Sequence, residues 1–265
     1  MVIDFHTHAF PDELAKKAVP GMFSQVNYYV SEIYSDGTLG GLLSNMDKWG
    51  VDISVVQPVV TRQSQTEAAN LWAQSIMSQR IISFGSISPD TDDYKRDIDF
   101  VVSLGLKGLK FHPEYQNFTV DDLRLLRIYD YAISRGLMLL FHAGLDPSFP
   151  APYKSSPRQF AAVADAMGGG VIIAAHLGGH GQWYEVANYF EGRNIYIDTS
   201  MGSDYYTQEQ FLSIANRLGA DRLLFASDSP WGSAEREIRA IKSLPLDEKS
   251  KELILSDNAW RLLGL

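Results

Sequence analysis

The first residues of the chain contain two histidines separated by one position. His6 and His8 end a short apolar segment, in the run Ile3-Asp4-Phe5-His6-Thr7-His8. Residues two apart on a strand point to the same face, so both imidazoles are expected to project together, with Asp4 beneath them. Converging imidazoles are suited to holding a transition metal. For this motif alone, a pair of unrelated surface histidines stays an open alternative.

Other candidate ligands occupy similar positions further along the chain. Each of three more histidines directly follows an apolar run: His112, His142 and His176. Asp228 comes two residues after the last such run. In a closed barrel the last strand lies beside the first, which would bring Asp228 close to His6 and His8. Together with His142 these residues can hold Zn²⁺, Fe²⁺ or Mn²⁺ and leave a position for water. The alternative for Asp228 is a helix N-cap, because Ser229-Pro230 follows.

The elements that must position these residues are eight short apolar runs. They are Val2–Phe5, Ile53–Gln57, Ile81–Ile87, Leu106–Phe111, Leu137–Phe141, Val171–Ala175, Ile195–Ile197 and Leu223–Ala226. Most are apolar at every position, which is typical of parallel strands covered on both faces. Helix-like segments separate them, and each unit takes about 33 of the 265 residues. The pattern predicts a single-domain α/β protein, a (β/α)₈ TIM barrel over residues 1–265. A doubly wound sheet would carry a glycine-rich turn where His6-Thr7-His8 stands.

Two of the connections that follow a strand are unusually long. They span residues 9–37, which are rich in aromatic side chains, and residues 143–156, which contain three prolines. The active sites of barrels form at the C-terminal ends of the strands, and long loops in compact domains are often functional. We therefore expect both connections to shape or cover a pocket. The alternative is that they are ordinary packed loops.

Composition and charge narrow the classes of partner. The net charge is −9, which disfavours nucleic acids and anionic membrane surfaces. There is no cysteine, which excludes disulfides, iron–sulfur clusters and thiolate zinc sites. We recognise no secretory signal and no apolar stretch of membrane-spanning length. We expect a cytoplasmic protein that acts on a small molecule, with a homodimer as an ordinary oligomeric state.

Several motifs in this order resemble the amidohydrolase superfamily, and most of all its amidohydrolase-related (amidohydrolase 2) branch of metal-dependent hydrolases. The similar segments cover the whole chain: Ile3–His8, Gly108-Leu109-Lys110-Phe111-His112-Pro113, Phe141-His142-Ala143-Gly144, Ala175-His176-Leu177-Gly178-Gly179, Ala226-Ser227-Asp228-Ser229-Pro230-Trp231 and Asp257–Gly264. The resemblance implies a distorted barrel and a metal at His6, His8, His142 and Asp228. It also implies that His176 lies beside the metal-bound water.

The sequence departs from many members of that superfamily at the end of the fourth strand. A carboxylated lysine or a glutamate often bridges two metals there, whereas this chain reads Lys110-Phe111-His112. Lys110 could be carboxylated, but the branch that the chain most resembles usually works with one metal. We therefore expect one ion, with Zn²⁺ favoured over Mn²⁺ and Fe²⁺, and we expect His112 to line the pocket rather than to bind the ion.

The main functional hypothesis is hydrolysis of a small amide, lactone or ester by metal-activated water. His176 would orient that water or hold a reacting oxygen, and Asp228 would carry its proton to the leaving group. The alternative is a lyase, a decarboxylase or hydratase of a small carboxylic acid, which the same branch also resembles. Such an enzyme needs a cation for the carboxylate. The candidates are Arg62, Lys110, Lys154 and Arg158, and Trp231 is a candidate for the pocket wall.

Two further hypotheses rank lower. TatD-like nucleases share the His-x-His motif and the barrel, but they carry a glutamate near the position of Lys110, and the acidic net charge disfavours a polyanionic substrate. A barrel that binds metal without catalysis would show ligand-induced stabilisation but no turnover.

Overall fold

Eight strands lie within or overlap the apolar runs of the sequence and form the wall of a barrel. The computed structural model describes residues 1–265. The strands are β1 (Ile3–Thr7), β2 (Ile53–Val56), β3 (Ile81–Ser83), β4 (Gly108–Phe111), β5 (Met138–Phe141), β6 (Ile172–Ala174), β7 (Ile195–Asp198) and β8 (Leu223–Leu224). Every paired neighbour is parallel, as expected for strands joined by helical crossovers.

Backbone hydrogen bonds outside the regular strand pairing close the barrel. Strands β1–β3 form one sheet and β4–β8 form another. Between β3 and β4, the Lys110 amide donates to the Gly85 carbonyl at 2.8 Å. Between β8 and β1, the Asp228 amide donates to the His6 carbonyl at 2.8 Å. The last strand therefore lies beside the first, and Asp228 reaches the His-x-His segment as predicted.

Alternate side chains of each strand are buried on opposite sides. In β5, Leu140 packs inside the barrel with Phe5 and Ile173. Its neighbour Leu139 belongs to the larger cluster between the strands and the outer helices. Both leucines are fully buried. This two-sided burial explains why the strands read as continuous apolar runs.

The outer layer is helical. It consists of α1 (Asp12–Val26), α2 (Leu39–Trp49), α3 (Thr66–Ser75), α4 (Tyr94–Ser103), α5 (Leu123–Ser134), α6 (Pro157–Ala166), α7 (Trp183–Phe190), α8 (Gln208–Leu218), α9 (Ala234–Ser243), α10 (Glu248–Glu252) and α11 (Asn258–Leu263), with a π-helical turn at Leu253–Asp257. Ser156 and Thr207 form capping boxes at the starts of α6 and α8. None of these helices combines the length and the apolarity needed to cross a membrane.

The structure differs from the sequence-based prediction in one additional helix and in the lengths of several strands. The connection 9–37 contains the helix α1, which has Pro20 in its interior and buries only Ala15, Val19 and Val26. An internal proline and a sparse apolar pattern are poor helix signals, which is why the sequence did not reveal it. Strands β3 and β8 are shorter than predicted, since the chain leaves the regular ladder after Ser83 and after Leu224.

Candidate active site

The C-terminal ends of the strands surround one cavity of about 220 Å³. This is near the small end for ligand pockets, so the cavity suits a small molecule. Its lining includes most of the residues predicted from the sequence: His6, His8, Lys110, His112, His142, His176, Asp228 and Trp231. Arg62 is exposed and does not line the cavity. Lys154 lies outside it and bonds the Asn117 side chain, and Arg158 is exposed.

Three of the four predicted metal ligands converge at one point. The Nε2 atoms of His6 and His8 are 3.2 Å apart. Asp228 Oδ1 lies 3.3 Å from the first and 3.2 Å from the second. Two ligands of a tetrahedral ion, each about 2.0–2.1 Å from it, are separated by about 3.3 Å. The three atoms therefore have the spacing that a small divalent ion requires.

The other ring nitrogens of these histidines are held by hydrogen bonds. His6 Nδ1 is 2.9 Å from Asp198 Oδ2, and His8 Nδ1 is 2.7 Å from the carbonyl oxygen of Gln57. These acceptors favour a proton on each Nδ1 and leave a lone pair on each Nε2. Two lone pairs and a carboxylate oxygen then face one another, an arrangement that a cation would stabilise. The residues fit a metal ion.

Sequence reasoning did not identify Asp198, although its position offered a signal. It ends β7 as a buried carboxylate, much as Asp228 follows β8. Besides contacting His6, its Oδ1 accepts hydrogen bonds from the backbone amides of His176 and Ser200, each at 3.0 Å. Asp198 therefore fixes both the orientation of His6 and the path of the backbone at His176.

The fourth predicted ligand, His142, lies in a neighbouring group of side chains. Its Nδ1 is 2.9 Å from His176 Nε2, and its ring stacks on His112 with the centroids 4.2 Å apart. His142 Nε2 is buried and has no hydrogen-bond partner. His112 in turn contacts the Asp146 carboxylate at 3.3 Å. The structure thus brings His6, His8 and Asp228 together and places His142 in the same cavity with one free nitrogen.

Lys110 extends into the same cluster from β4. Its Nζ is 2.9 Å from His6 Nε2, and the side chain is almost fully buried. Burial lowers the pKa of Lys110 to about 8, although Asp228 and Asp198 oppose the shift. It is the only lysine or arginine that lines the cavity.

Burial also sets the charge states of the candidate ligands. Burial lowers the pKa values of His6, His142 and His176 well below the ordinary value for histidine. These imidazoles are therefore neutral, which is the form that binds metals. Burial alone would raise the pKa of Asp228, but the nearby His6 and His8 outweigh it and lower that pKa. The cluster therefore combines neutral imidazoles with an ionised carboxylate.

Both long connections contribute to the cavity wall, as expected. Met22 and Val26 of α1 line it, and so do Leu145 and Pro147 after β5. The Tyr29 hydroxyl lies 2.7 Å from His180 Nε2 and ties the segment after α1 to the loop after β6. These two connections therefore form part of the cavity wall, and the first of them is hydrogen-bonded to the loop after β6.

Comparison with known proteins gives the same fold. An uncharacterised TIM-barrel protein from Bordetella bronchiseptica has a TM-score of 0.82 and 20% identity, with 99% of this chain and 98% of that chain covered. A mutant 5-carboxyvanillate decarboxylase from Novosphingobium aromaticivorans, with bound manganese and 3-methoxy-4-hydroxy-5-nitrobenzoic acid, has a TM-score of 0.75 and 14% identity, with 100% and 97% covered. A putative 2-pyrone-4,6-dicarboxylic acid hydrolase from Pseudomonas putida has a TM-score of 0.67 and 17% identity, with 99% and 97% covered.

At these identities the structural likeness establishes the barrel but not the activity. A search of curated protein sequences found no match. The model of the family described as amidohydrolase matches residues 3–265, nearly the whole chain. This confirms the resemblance that the His-x-His segment and the later motifs indicated. The chain therefore belongs to the amidohydrolase family.

Proposed function

We propose that the protein is a metal-dependent decarboxylase of a small carboxylic acid. The observation that carries the proposal is the buried side chain of Lys110 among the histidines of the cavity, where it is the only lysine or arginine in the lining. A cation in a buried site binds a carboxylate through charge-assisted hydrogen bonds, and every decarboxylase substrate presents a carboxylate. The similarity to a 5-carboxyvanillate decarboxylase supports the same assignment.

His6, His8 and Asp228 would hold the metal, and His142, which lines the same cavity, is the candidate for a fourth ligand. When bound, a divalent ion such as Zn²⁺ or Mn²⁺ supplies a Lewis acid that neutralises charge on substrate oxygens. Nitrogen and oxygen ligands of this kind suit both ions, and a structural relative is described with bound manganese.

The remaining steps use side chains of the cavity. Lys110 binds the carboxylate, and His176 holds a second substrate oxygen. Cleavage of the carbon–carbon bond releases CO₂ and leaves the bonding electrons on the carbon that carried it. That carbon needs one proton from the solvent, and Asp228, a buried residue of the cavity lining, relays it. The balanced reaction converts R–COO⁻ and one proton to R–H and CO₂.

Hydrolysis, the main hypothesis from the sequence, is the second candidate. Asp228 could accept a proton from an attacking water and pass it to a leaving group in the same cavity. The similarity to a putative 2-pyrone-4,6-dicarboxylic acid hydrolase favours it. It ranks second because an amide, lactone or ester need not present a carboxylate to Lys110.

The test is to supply the metal-reconstituted protein with small aromatic and unsaturated acids labelled with ¹³C at the carboxyl group. We expect labelled CO₂ from at least one acid and no hydrolysis of a matched set of esters, lactones and amides. Lys110→Met should lower kcat/KM for the acid by about 10–100-fold, the value of a hydrogen bond to a charged group. Lys154→Met, which removes a lysine outside the cavity, serves as the control. Ester or lactone hydrolysis without CO₂ release would favour the second candidate and contradict the proposal.

A further inference from the structure

The lining of the cavity divides into a polar part and an apolar part. The histidines, Lys110 and Asp228 lie at or near the ends of strands. The loops and the helix beyond them contribute a group that we call the apolar wall: Phe10, Met22, Val26, Val30, Leu145 and Pro147. Val26 and Val30 are buried, and Met22 is partly buried on α1. A substrate whose carboxylate contacts Lys110 must place the rest of its body against this wall.

No second cation is available for that part of the substrate. The cavity lining contains no arginine and no lysine other than Lys110. Arg62 was a sequence candidate for a carboxylate partner, but its side chain is exposed and does not line the cavity. Its neighbour Thr61 does line the cavity. A second carboxylate would therefore be removed from water without a partner of opposite charge, which is strongly unfavourable.

The charge that does lie near the apolar wall is negative. Asp146 is buried and lies in the loop that also supplies Leu145 and Pro147. His112 and the backbone amide of Ser148, at 2.7 Å, stabilise its ionised form. A second anionic group of the substrate would face this carboxylate and be repelled.

We infer that the substrate is a monocarboxylic acid with an uncharged, mainly apolar body, and that the site rejects dicarboxylic acids. The inference rests on the proposed function, because it takes Lys110 as the carboxylate partner. It makes this chain differ from the two relatives whose names describe compounds with an additional or second carboxyl group, 5-carboxyvanillate and 2-pyrone-4,6-dicarboxylic acid. The apolar wall favours an apolar body of the acid, and the lack of a cationic side chain in that wall disfavours a second carboxylate there.

The test compares two acids of the same size and nearly the same shape. 4-Isopropylbenzoate and terephthalate differ at one end, where an isopropyl group replaces a carboxylate. Binding to the metal-reconstituted protein is measured by calorimetry, without relying on turnover. We expect 4-isopropylbenzoate to bind at least about tenfold more tightly, since the dicarboxylate must desolvate an unpaired charge.

A substitution in the apolar wall provides a second arm. Met22→Arg places a cation in the lining and should tighten terephthalate binding by about tenfold through a charge-assisted pair. The matched control is Gln25→Arg, which adds the same charge at an exposed position of α1, outside the lining. The control should leave the ratio of the two dissociation constants unchanged.

The outcomes separate this inference from the proposed function. Equal or tighter binding of terephthalate by the unsubstituted protein would overturn the inference, and release of CO₂ from another acid would leave the proposed function standing. If neither 4-isopropylbenzoate nor terephthalate binds in the presence of metal, Lys110 does not bind carboxylates and both proposals fail. If Gln25→Arg tightens terephthalate binding as much as Met22→Arg does, general surface charge and not the apolar wall sets the preference between the two acids.

Discussion

Asp198→Asn is the substitution whose effect follows most directly from the geometry. The wild-type carboxylate accepts from His6 Nδ1 at 2.9 Å through Oδ2, and from the amides of His176 and Ser200 through Oδ1. Asparagine has almost the same shape, and its single oxygen can satisfy the two backbone donors. Its NH₂ group then faces His6 Nδ1. Because two donors cannot face each other, the proton of His6 moves to Nε2, and the lone pair directed at the metal position is lost.

The expected loss is about 10–100-fold in metal affinity, the usual effect of removing such an outer hydrogen bond. This corresponds to about 1.4–2.7 kcal/mol of binding free energy. The assay is a competition titration with a chelator of known affinity, performed with Zn²⁺ and with Mn²⁺. Thermal unfolding of the metal-free proteins checks that the variant is folded.

The control is Asp97→Asn. Asp97 is also a buried carboxylate, and it bonds Thr91 and Gln63 away from the cavity. Its amide variant should keep the wild-type metal affinity. Wild-type affinity in Asp198→Asn, or an equal loss in both variants, would refute the reasoning that Asp198 fixes the proton of His6.

Two further predictions concern His176 and Glu237. His176→Ala should retain the metal and lose turnover by about 10²–10⁴-fold, because it removes a group that holds a substrate oxygen but no ligand of the trio; normal turnover would exclude the role. Burial raises the pKa of Glu237 from 4.5 to about 7, although hydrogen bonds from Ser203 and Gly202 oppose the shift. A carboxyl group with a raised folded-state pKa contributes most to stability below the unfolded value of 4.5, and that contribution falls as pH rises through about 7. The wild-type free energy of unfolding in urea should fall by about 2.5 kcal/mol more than that of Glu237→Gln between pH 5 and pH 8. Parallel pH profiles for the two proteins would contradict this.

Local patterns were enough to predict the barrel and much of the site. The alternation rule placed His6 and His8 on one face, and the closure of a barrel placed Asp228 beside them. The apolar runs gave all eight strands because each strand is buried on both sides. These features depend on periodicity and strand order, which are properties of the sequence itself.

Other features depend on contacts that no local pattern encodes. The bond between Asp198 and His6 joins residues 192 positions apart and requires the side-chain directions of two strands. The pairing of His142 with His176 rather than with the trio depends on the same packing. Arg62 was a candidate because it follows β2, but its side chain is exposed outside the cavity. Whether a loop residue faces the cavity depends on the path of the loop, and the sequence does not determine that path.

The central claim, a metal held by His6, His8 and Asp228 with His142, is tested most directly by metal content. The protein is reconstituted with Zn²⁺ and separately with Mn²⁺, desalted, and analysed for metal per chain, beside the variant Asp228→Asn. We expect about one equivalent in the wild type and a clear reduction in the variant. About two equivalents would bring Lys110 or His112 into contact with metal and contradict the single-ion site. No retained metal with either ion would contradict the account as a whole.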